Sequence, residues 1–360
     1  MYKYAHGGDI YDEQGHKNDG IIDFSANINP LGIPEAAVEA AKNSILRANI
    51  YPDSNCRLLG AKIGEFENVD KKNIICSNGA SDILFRLVYA AKPKKILVAA
   101  PSFLDYERAG KAAGAEVVYY TLKKENNFNV RKDIIDAIAA ASPDIVFICN
   151  PNNPTGNLTD FETMEEIAAA CEPKNALLLA DECFLDFVCG AHGYSAKPLI
   201  ERHKNIVILK AFTKIFAMPG LRLGYAICKN TELMDRMRFC GADWAVSNAA
   251  QQTGIAALKD GERYIADTVA YLQKERAYIA KELENIGFAI YPSYANFIFF
   301  HCPWDIDLCA ELRKKGIVIR DCANFKGLEP GYCRTAVLAK EKNKLLIEAL
   351  KGVRRLWQNR

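Results

Sequence analysis

The sequence predicts an α/β fold: a mostly parallel central sheet followed by a smaller α+β region. Two observations carry this. From about residue 73 short apolar runs alternate with helical stretches, and several runs are continuously apolar, as strands covered on both faces are. After about residue 230 the alternation gives way to one long amphipathic helix and a few short strands.

In order, Asn73–Ser77 reads as a strand and Ser81–Ala91 as a helix, with Ile83, Leu84, Leu87 and Val88 on one face. Lys95–Ala100 is a strand, Tyr106–Ala113 a helix and Glu116–Thr121 a strand. Val130–Ala141 follows as a helix, Asp144–Cys149 as a strand, Phe161–Cys171 as a helix and Ala176–Ala180 as a strand. Asn205–Leu209 and Leu223–Cys228 are further strands. The long helix covers Tyr264–Ile286, its apolar stripe made by Ile265, Val269, Leu272, Ile279, Leu283 and Ile286. Strands at Phe297–Phe300 and Ile317–Arg320 flank a helix at Ile306–Lys315. The expected division is a large domain over 31-235 and a small domain made of 236-360 with the N-terminal segment 1-30.

Composition narrows the class. The chain has 360 residues and a net charge of +2, which argues against nucleic-acid binding driven by charge. Its basic clusters, Lys92-Pro93-Lys94-Lys95 and Arg354-Arg355, are short and read as solvated charge. Twelve cysteines form no C-x-x-C pair and no zinc spacing, so no metal is expected and the thiols fit a reducing cytoplasm. Asp9, Asp12 and Glu13 replace the apolar core of a secretory signal, and no apolar run is long enough to span a membrane.

The chemistry concentrates at strand ends, where open α/β sheets bind ligands. Thr213-Lys214 precedes Gly220-Leu221-Arg222 across a Pro-Gly turn, with eight residues from the lysine to the arginine. A lysine amine condenses with an aldehyde, and a guanidinium grips a phosphate with two parallel hydrogen bonds. Pyridoxal 5'-phosphate (PLP) carries both groups. Lys210, four residues before Lys214, lacks that following turn and is the rival lysine. Asn78-Gly79-Ala80-Ser81 joins a strand to a helix, so its N–H groups can face a phosphate; alone it is also an ordinary turn. Asn150-Pro151-Asn152-Asn153-Pro154-Thr155-Gly156 is a rigid turn able to fix an asparagine. Asp181 ends a strand, where it either caps polar groups or pairs with a pyridinium nitrogen. Phe103 reads as core or as a ring over a cofactor face.

Together these residues resemble the fold-type I PLP-dependent enzymes of the aspartate-aminotransferase superfamily, in the right order and over nearly the whole chain. The resemblance implies that Lys214 is the Schiff-base lysine, that Asp181 pairs with the ring nitrogen, that Asn153 contacts the ring O3' and that Phe103 stacks on the ring. It places Gly79, Ala80, Ser81, Thr213 and Arg222 in the phosphate cup. Tyr51, in Tyr51-Pro52-Asp53, matches a tyrosine that reaches the partner's phosphate, which implies a homodimer with shared sites. Two positions depart from the pattern: Ala211 stands where a phosphate-binding serine is common, and Phe184 where a tyrosine often hydrogen-bonds O3'.

Three segments narrow the resemblance to the threonine-phosphate decarboxylases, with histidinol-phosphate aminotransferases next. They are Ala5-His6-Gly7-Gly8-Asp9-Ile10, Asp23-Phe24-Ser25-Ala26-Asn27-Ile28-Asn29-Pro30-Leu31-Gly32 and Ile319-Arg320-Asp321-Cys322-Ala323-Asn324-Phe325-Lys326-Gly327-Leu328. They imply substrate contacts from His6, Gly7, Asn27 and Arg320, and a phosphorylated amino acid as substrate; Asn153, and Arg334 in Tyr332-Cys333-Arg334, match substrate-contacting positions of the superfamily, Arg334 its carboxylate-binding arginine. Read without the family, Arg320 and Arg334 would be surface ion pairs and His6 a frayed terminus. A PLP-binding regulator without turnover is the reading from another class. Lys214, Asp181, Asn153 and Arg222 all being present speaks against it.

Overall fold

The computed structural model describes residues 6–11 and 14–358. Its strands are β1 (Ile22–Asp23), β2 (Ile74–Ser77), β3 (Lys95–Ala100), β4 (Glu116–Thr121), β5 (Ile145–Cys149), β6 (Leu177–Asp181) and β7 (Ile206–Ala211). They continue as β8 (Gly224–Ile227), β9 (Ala289–Ile290), β10 (Phe297–His301), β11 (Ile317–Val318), β12 (Arg320–Asp321) and β13 (Tyr332–Ala336).

Seven strands form the large sheet, in the order β2-β8-β7-β6-β5-β3-β4. The run from β7 to β4 is parallel, while β8 lies antiparallel to both β7 and β2. The apolar strands serve two cores because successive side chains point to opposite faces. Val146, Ile148, Leu178, Ala180, Ile206 and Ile208 enter one core. Ile145, Phe147, Leu179, Val207 and Leu209 enter the other. The second core is closed by Ile83, Leu84, Leu87 and Val88 of the helix Ala80–Ala91, and by Leu233, Met234 and Met237 of Thr231–Phe239. Cutting one such buried Ile or Leu to Ala would cost about 2–5 kcal/mol.

A second, antiparallel sheet has the order β12-β13-β10-β9. The N-terminal strand β1 pairs in parallel with β11, and Phe24 continues the contact through Phe24 N–H to Val318 O (2.7 Å) and Ala336 N–H to Phe24 O (2.8 Å). The early segment is thereby built into the smaller-sheet region.

The structure shifts several expected boundaries. The helix expected from Val130 starts at Ile134, because Arg131 and Lys132 form turns whose carbonyls accept from Ile134 and Ile135. The expected strand Ile317–Arg320 divides at Ile319: its first half pairs with β1 and its second with β13. The helix expected over Ile306–Lys315 shortens to Leu308–Arg313, started by the Asp307 side chain accepting from Ala310 N–H (2.9 Å). The structure adds helices at Glu35–Ser44, Arg57–Glu67, Thr231–Phe239, Asn248–Leu258 and Lys340–Gln358.

Candidate active site

One edge of the large sheet gathers the chemistry. The parallel strands β3, β5, β6 and β7 end there at Ala100, Cys149, Asp181 and Ala211. Strand β8 runs the opposite way, so its start, beside Arg222, lies at the same edge, as does the end of β2 before Gly79. A cavity of about 660 Å³ opens at this edge. It is lined by Lys214, Asp181, Asn153, Phe103, Arg222 and Thr213, among others. Ala80, Ser81, His6, Gly7, Asn27, Arg320 and Arg334 border the same cavity.

Lys214 lies in the short helix Phe212–Ile215 that follows β7. Its amine stands 5.9 Å from the centre of the Phe184 ring, and its pKa falls to about 8. Burial is the main cause, and the charges of Arg334 and Arg222 add to it. The turn is fixed from outside: Asn29 Nδ2 donates to Ile215 O (2.7 Å), and Asn29 N–H to Lys214 O (3.3 Å).

Lys210 occupies a different place. Its ammonium donates to Glu67 Oε1 (2.8 Å) and Asp186 Oδ1 (3.0 Å) in a buried network joined by Lys197, which bonds Glu67 Oε2 at 2.9 Å. Burial alone would lower the Lys210 pKa, but the neighbouring carboxylates push it up, and Glu67 falls to about 2. Lys210 is not among the cavity-lining residues.

Asp181 accepts from Tyr106 Oη (2.6 Å) and from Cys183 N–H (3.0 Å). Burial raises its pKa against the lowering effect of these bonds. Tyr106 is held by stacking on Phe147 (5.1 Å between centroids) and by an edge contact with Phe103 (5.6 Å). Of the asparagines in the Asn150–Gly156 turn, Asn150 and Asn152 anchor the turn to its surroundings, bonding Thr159, Tyr194 and Pro101 as well as Thr155 within it. Asn153 instead faces the cavity, where its Oδ1 accepts from Arg334.

Gly79 shows why a glycine is required in the Asn78–Ser81 turn. Its φ is +85°, and a Cβ there would lie 2.7 Å from Arg222 Nη2. The glycine lets the guanidinium close on the start of the helix Ala80–Ala91, whose N–H groups favour an anion. Ala211 lines the cavity without a hydroxyl, as its sequence requires.

Register places the two arginines of the smaller sheet side by side. Arg320 on β12 pairs directly with Arg334 on β13. Like charges so placed repel unless an anion lies between or beside them. Burial lowers the Arg334 pKa to about 10, and the charge of Arg320 contributes to the fall. Arg334 Nη2 donates to Ser25 O (2.7 Å), whereas its Nε, like Asn27 Oδ1, is buried with no hydrogen-bond partner among the described residues. Arg320 donates to Asn324 Oδ1 (2.7 Å) and lies over the Phe325 ring (5.1 Å). Tyr51 stands apart from its own chain's cavity, 76% exposed, with its ring tilted against that of Trp244 at 4.6 Å between centroids.

These residues fit PLP. A depressed-pKa amine with no hydrogen bond among the described residues, a buried carboxylate, an arginine closing over a glycine turn and an aromatic ring border one cavity. Sequence reasoning missed Tyr106, Asp105, Ser25 and Asn29. Tyr106 follows Phe103 by three positions on a helix start, a spacing that puts both rings on one face and was available as a signal.

No described helix is long and apolar enough to cross a membrane, and no described group of His, Cys, Asp and Glu could hold a metal ion.

Known proteins place the chain. The threonine-phosphate decarboxylase of Salmonella typhimurium is 33% identical over 360 residues, covering 98% of this chain and 97% of that protein. A histidinol-phosphate aminotransferase of Caldanaerobacter subterraneus is 32% identical over 335 residues, covering 92% of each chain. The crystal structure of histidinol-phosphate aminotransferase from Clostridium acetobutylicum superposes with a TM-score of 0.86 at 33% identity, over 92% of this chain and 98% of that one. Residues 19–350 match the family described as aminotransferase class I and II, and the chain belongs to that PLP-dependent family.

Proposed function

We propose that this enzyme decarboxylates L-threonine O-3-phosphate to (R)-1-aminopropan-2-ol O-2-phosphate and CO2, a step of cobalamin biosynthesis. The observation that carries the reading is the pairing of Arg320 with Arg334 beside the His6–Gly8 segment, all bordering the Lys214 cavity. A substrate with a carboxylate and a phosphate monoester needs two fixed cations. When bound, PLP supplies an electron sink that weakens whichever Cα bond stands perpendicular to its ring.

The protein's residues choose that bond by positioning. Arg334, held by Asn153 and Ser25, grips the carboxylate and sets its angle. Arg320 neutralises the second anion, with His6 and Asn27 closing around the substrate. Asp181 keeps the ring nitrogen protonated, steadied by Tyr106. Lys214 returns a proton to Cα; its pKa of about 8 suits proton exchange near neutral pH. Residues 31-235 hold the cofactor, and 1-30 with 236-360 hold the substrate's anionic groups. The enzyme acts in the cytoplasm as a homodimer in which Tyr51 reaches the partner's phosphate cup. The exposed Leu46, Ile50, Tyr51 and Trp244 supply an apolar surface for that contact.

The second reading is histidinol-phosphate aminotransferase, favoured by the Clostridium acetobutylicum structure. Product analysis separates the two. The enzyme is mixed separately with phosphothreonine, phosphoserine and histidinol phosphate, each with and without 2-oxoglutarate. CO2 release from phosphothreonine without an acceptor is expected. Acceptor-dependent keto product from histidinol phosphate, with no CO2 from phosphothreonine, would overturn the proposal.

A further inference from the structure

We propose that Asp105 is a positioning residue that holds His6–Gly8 as a strap across the cavity and ties the strap to the phosphate-binding turn. The proposal rests on reading the cavity as the substrate site.

Asp105 lies in the first turn of the helix Leu104–Ala112 and is 5% exposed. A carboxylate so buried needs compensating partners. Its two oxygens face two different parts of the site. Oδ1 bonds His6 Nε2 (3.1 Å), and Oδ2 accepts from Ser81 Oγ (3.1 Å). The Arg108 guanidinium adds a third, longer contact at 3.8 Å. Burial raises the Asp105 pKa, yet the bond and charge of His6, with Ser81 and Arg108, leave it below the usual carboxylate value. The site therefore keeps Asp105 ionised. The His6 ring lies 5.5 Å from the Phe103 ring, the neighbour of Asp105 by two positions.

The other end of the strap is fastened to the smaller-sheet region. Gly8 N–H donates to Ser25 Oγ (2.8 Å), and Ser25 Oγ donates to Asp23 Oδ1 (2.6 Å). Between the two fastenings, Gly7 lies so close to the Ser25 carbonyl that a Cβ would meet its oxygen at 2.3 Å. That same carbonyl accepts from Arg334. His6–Gly8 thus runs from a helix of the large sheet to the backbone that orients the carboxylate-binding arginine. Asp105 touches neither Lys214 nor Asp181 through any hydrogen bond described, so its loss should loosen substrate binding rather than the chemical step.

The test is made on the PLP-loaded enzyme. Hydrogen exchange across His6–Gly8 requires no substrate and should accelerate about tenfold in Asp105→Ala, as a local opening becomes easier. With phosphothreonine, KM should rise about tenfold while kcat stays within about twofold. Asp105→Asn keeps one acceptor oxygen and one hydrogen-bonding nitrogen, and should recover most of both effects. His6→Ala releases the strap without altering the buried helix. It should speed exchange at Gly8 by a similar factor, with little further gain in the double variant. Unchanged exchange in both single variants, or a fall in kcat at constant KM, would overturn the proposal. Failure of the unaltered enzyme to turn over phosphothreonine would count against the functional reading, while the exchange result would still decide the strap.

Discussion

Lys210 and Lys214 are four residues apart, both sit at the same sheet edge, and they have opposite electrostatics. Lys210 meets Glu67 and Asp186, and its charge is locked. Lys214 meets an aromatic ring and two arginine charges, and its charge is easily lost. The last residues of a strand and the turn that follows it face different neighbours. One lysine is therefore tied into an ion-pair network while the other keeps an easily deprotonated amine facing the cavity. Burial is common to both, so the carboxylates decide the difference.

Substitution of the two lysines gives the sharpest contrast. Lys214→Ala should abolish the visible absorbance of bound PLP and reduce turnover by more than about 10³-fold. An intact band in that variant would return the reactive role to Lys210. Lys210→Met should keep the visible band but leave Glu67 and Asp186 without their shared cation. A loss of about 3–5 kcal/mol in urea unfolding is expected for breaking a buried pair from one side. A fully stable Lys210→Met protein would show that the network contributes nothing.

The pH response tests the electrostatic cause. With PLP removed, the Lys214 amine must be unprotonated to attack the aldehyde. Its pKa is depressed to about 8, so re-addition of PLP should be slow at low pH. The observed rate should rise about tenfold per pH unit until about pH 8 and then level. A rise continuing to the ordinary lysine range would show that burial and the charges of Arg334 and Arg222 do not depress the Lys214 pKa. The smallest expected effect concerns Asp181. Tyr106→Phe removes one donor from a buried carboxylate, which should lower kcat by about five- to tenfold and leave KM near its original value. An unchanged kcat would reduce Tyr106 to a packing role.

Much of this was legible in the chain. Period and apolar runs gave the strands that make the large sheet, because a strand buried on both faces has little choice of residue. The helices at Glu35–Ser44, Asn248–Leu258 and Lys340–Gln358 were not assigned from the sequence. The first two bury mainly small or polar side chains, which blurs the helical period until a partner defines the buried side, whereas Leu346, Ile347, Leu350 and Val353 recur at helical spacing in the third and were a signal left unread. Lys214 and Arg222 were singled out by spacing and turn chemistry, Asp181 and Asn153 by the family resemblance, and all four line one cavity. Tyr106, Asp105, Ser25 and Asn29 were missed because each acts through a partner far along the chain. Tyr106 and Asp181, for example, are separated by 75 positions.

The sequence by itself determined the α/β class, the lysine and arginine around one Pro-Gly turn, and the glycine that the Asn78–Ser81 turn requires. These are local properties, fixed by side-chain period and by backbone freedom within a few residues. Tertiary structure decided which lysine is free, that Arg320 and Arg334 stand opposite one another, and that His6 is fastened to Asp105. Charge and hydrogen bonding act through space over a few ångströms, so they depend on which distant segments the fold brings together.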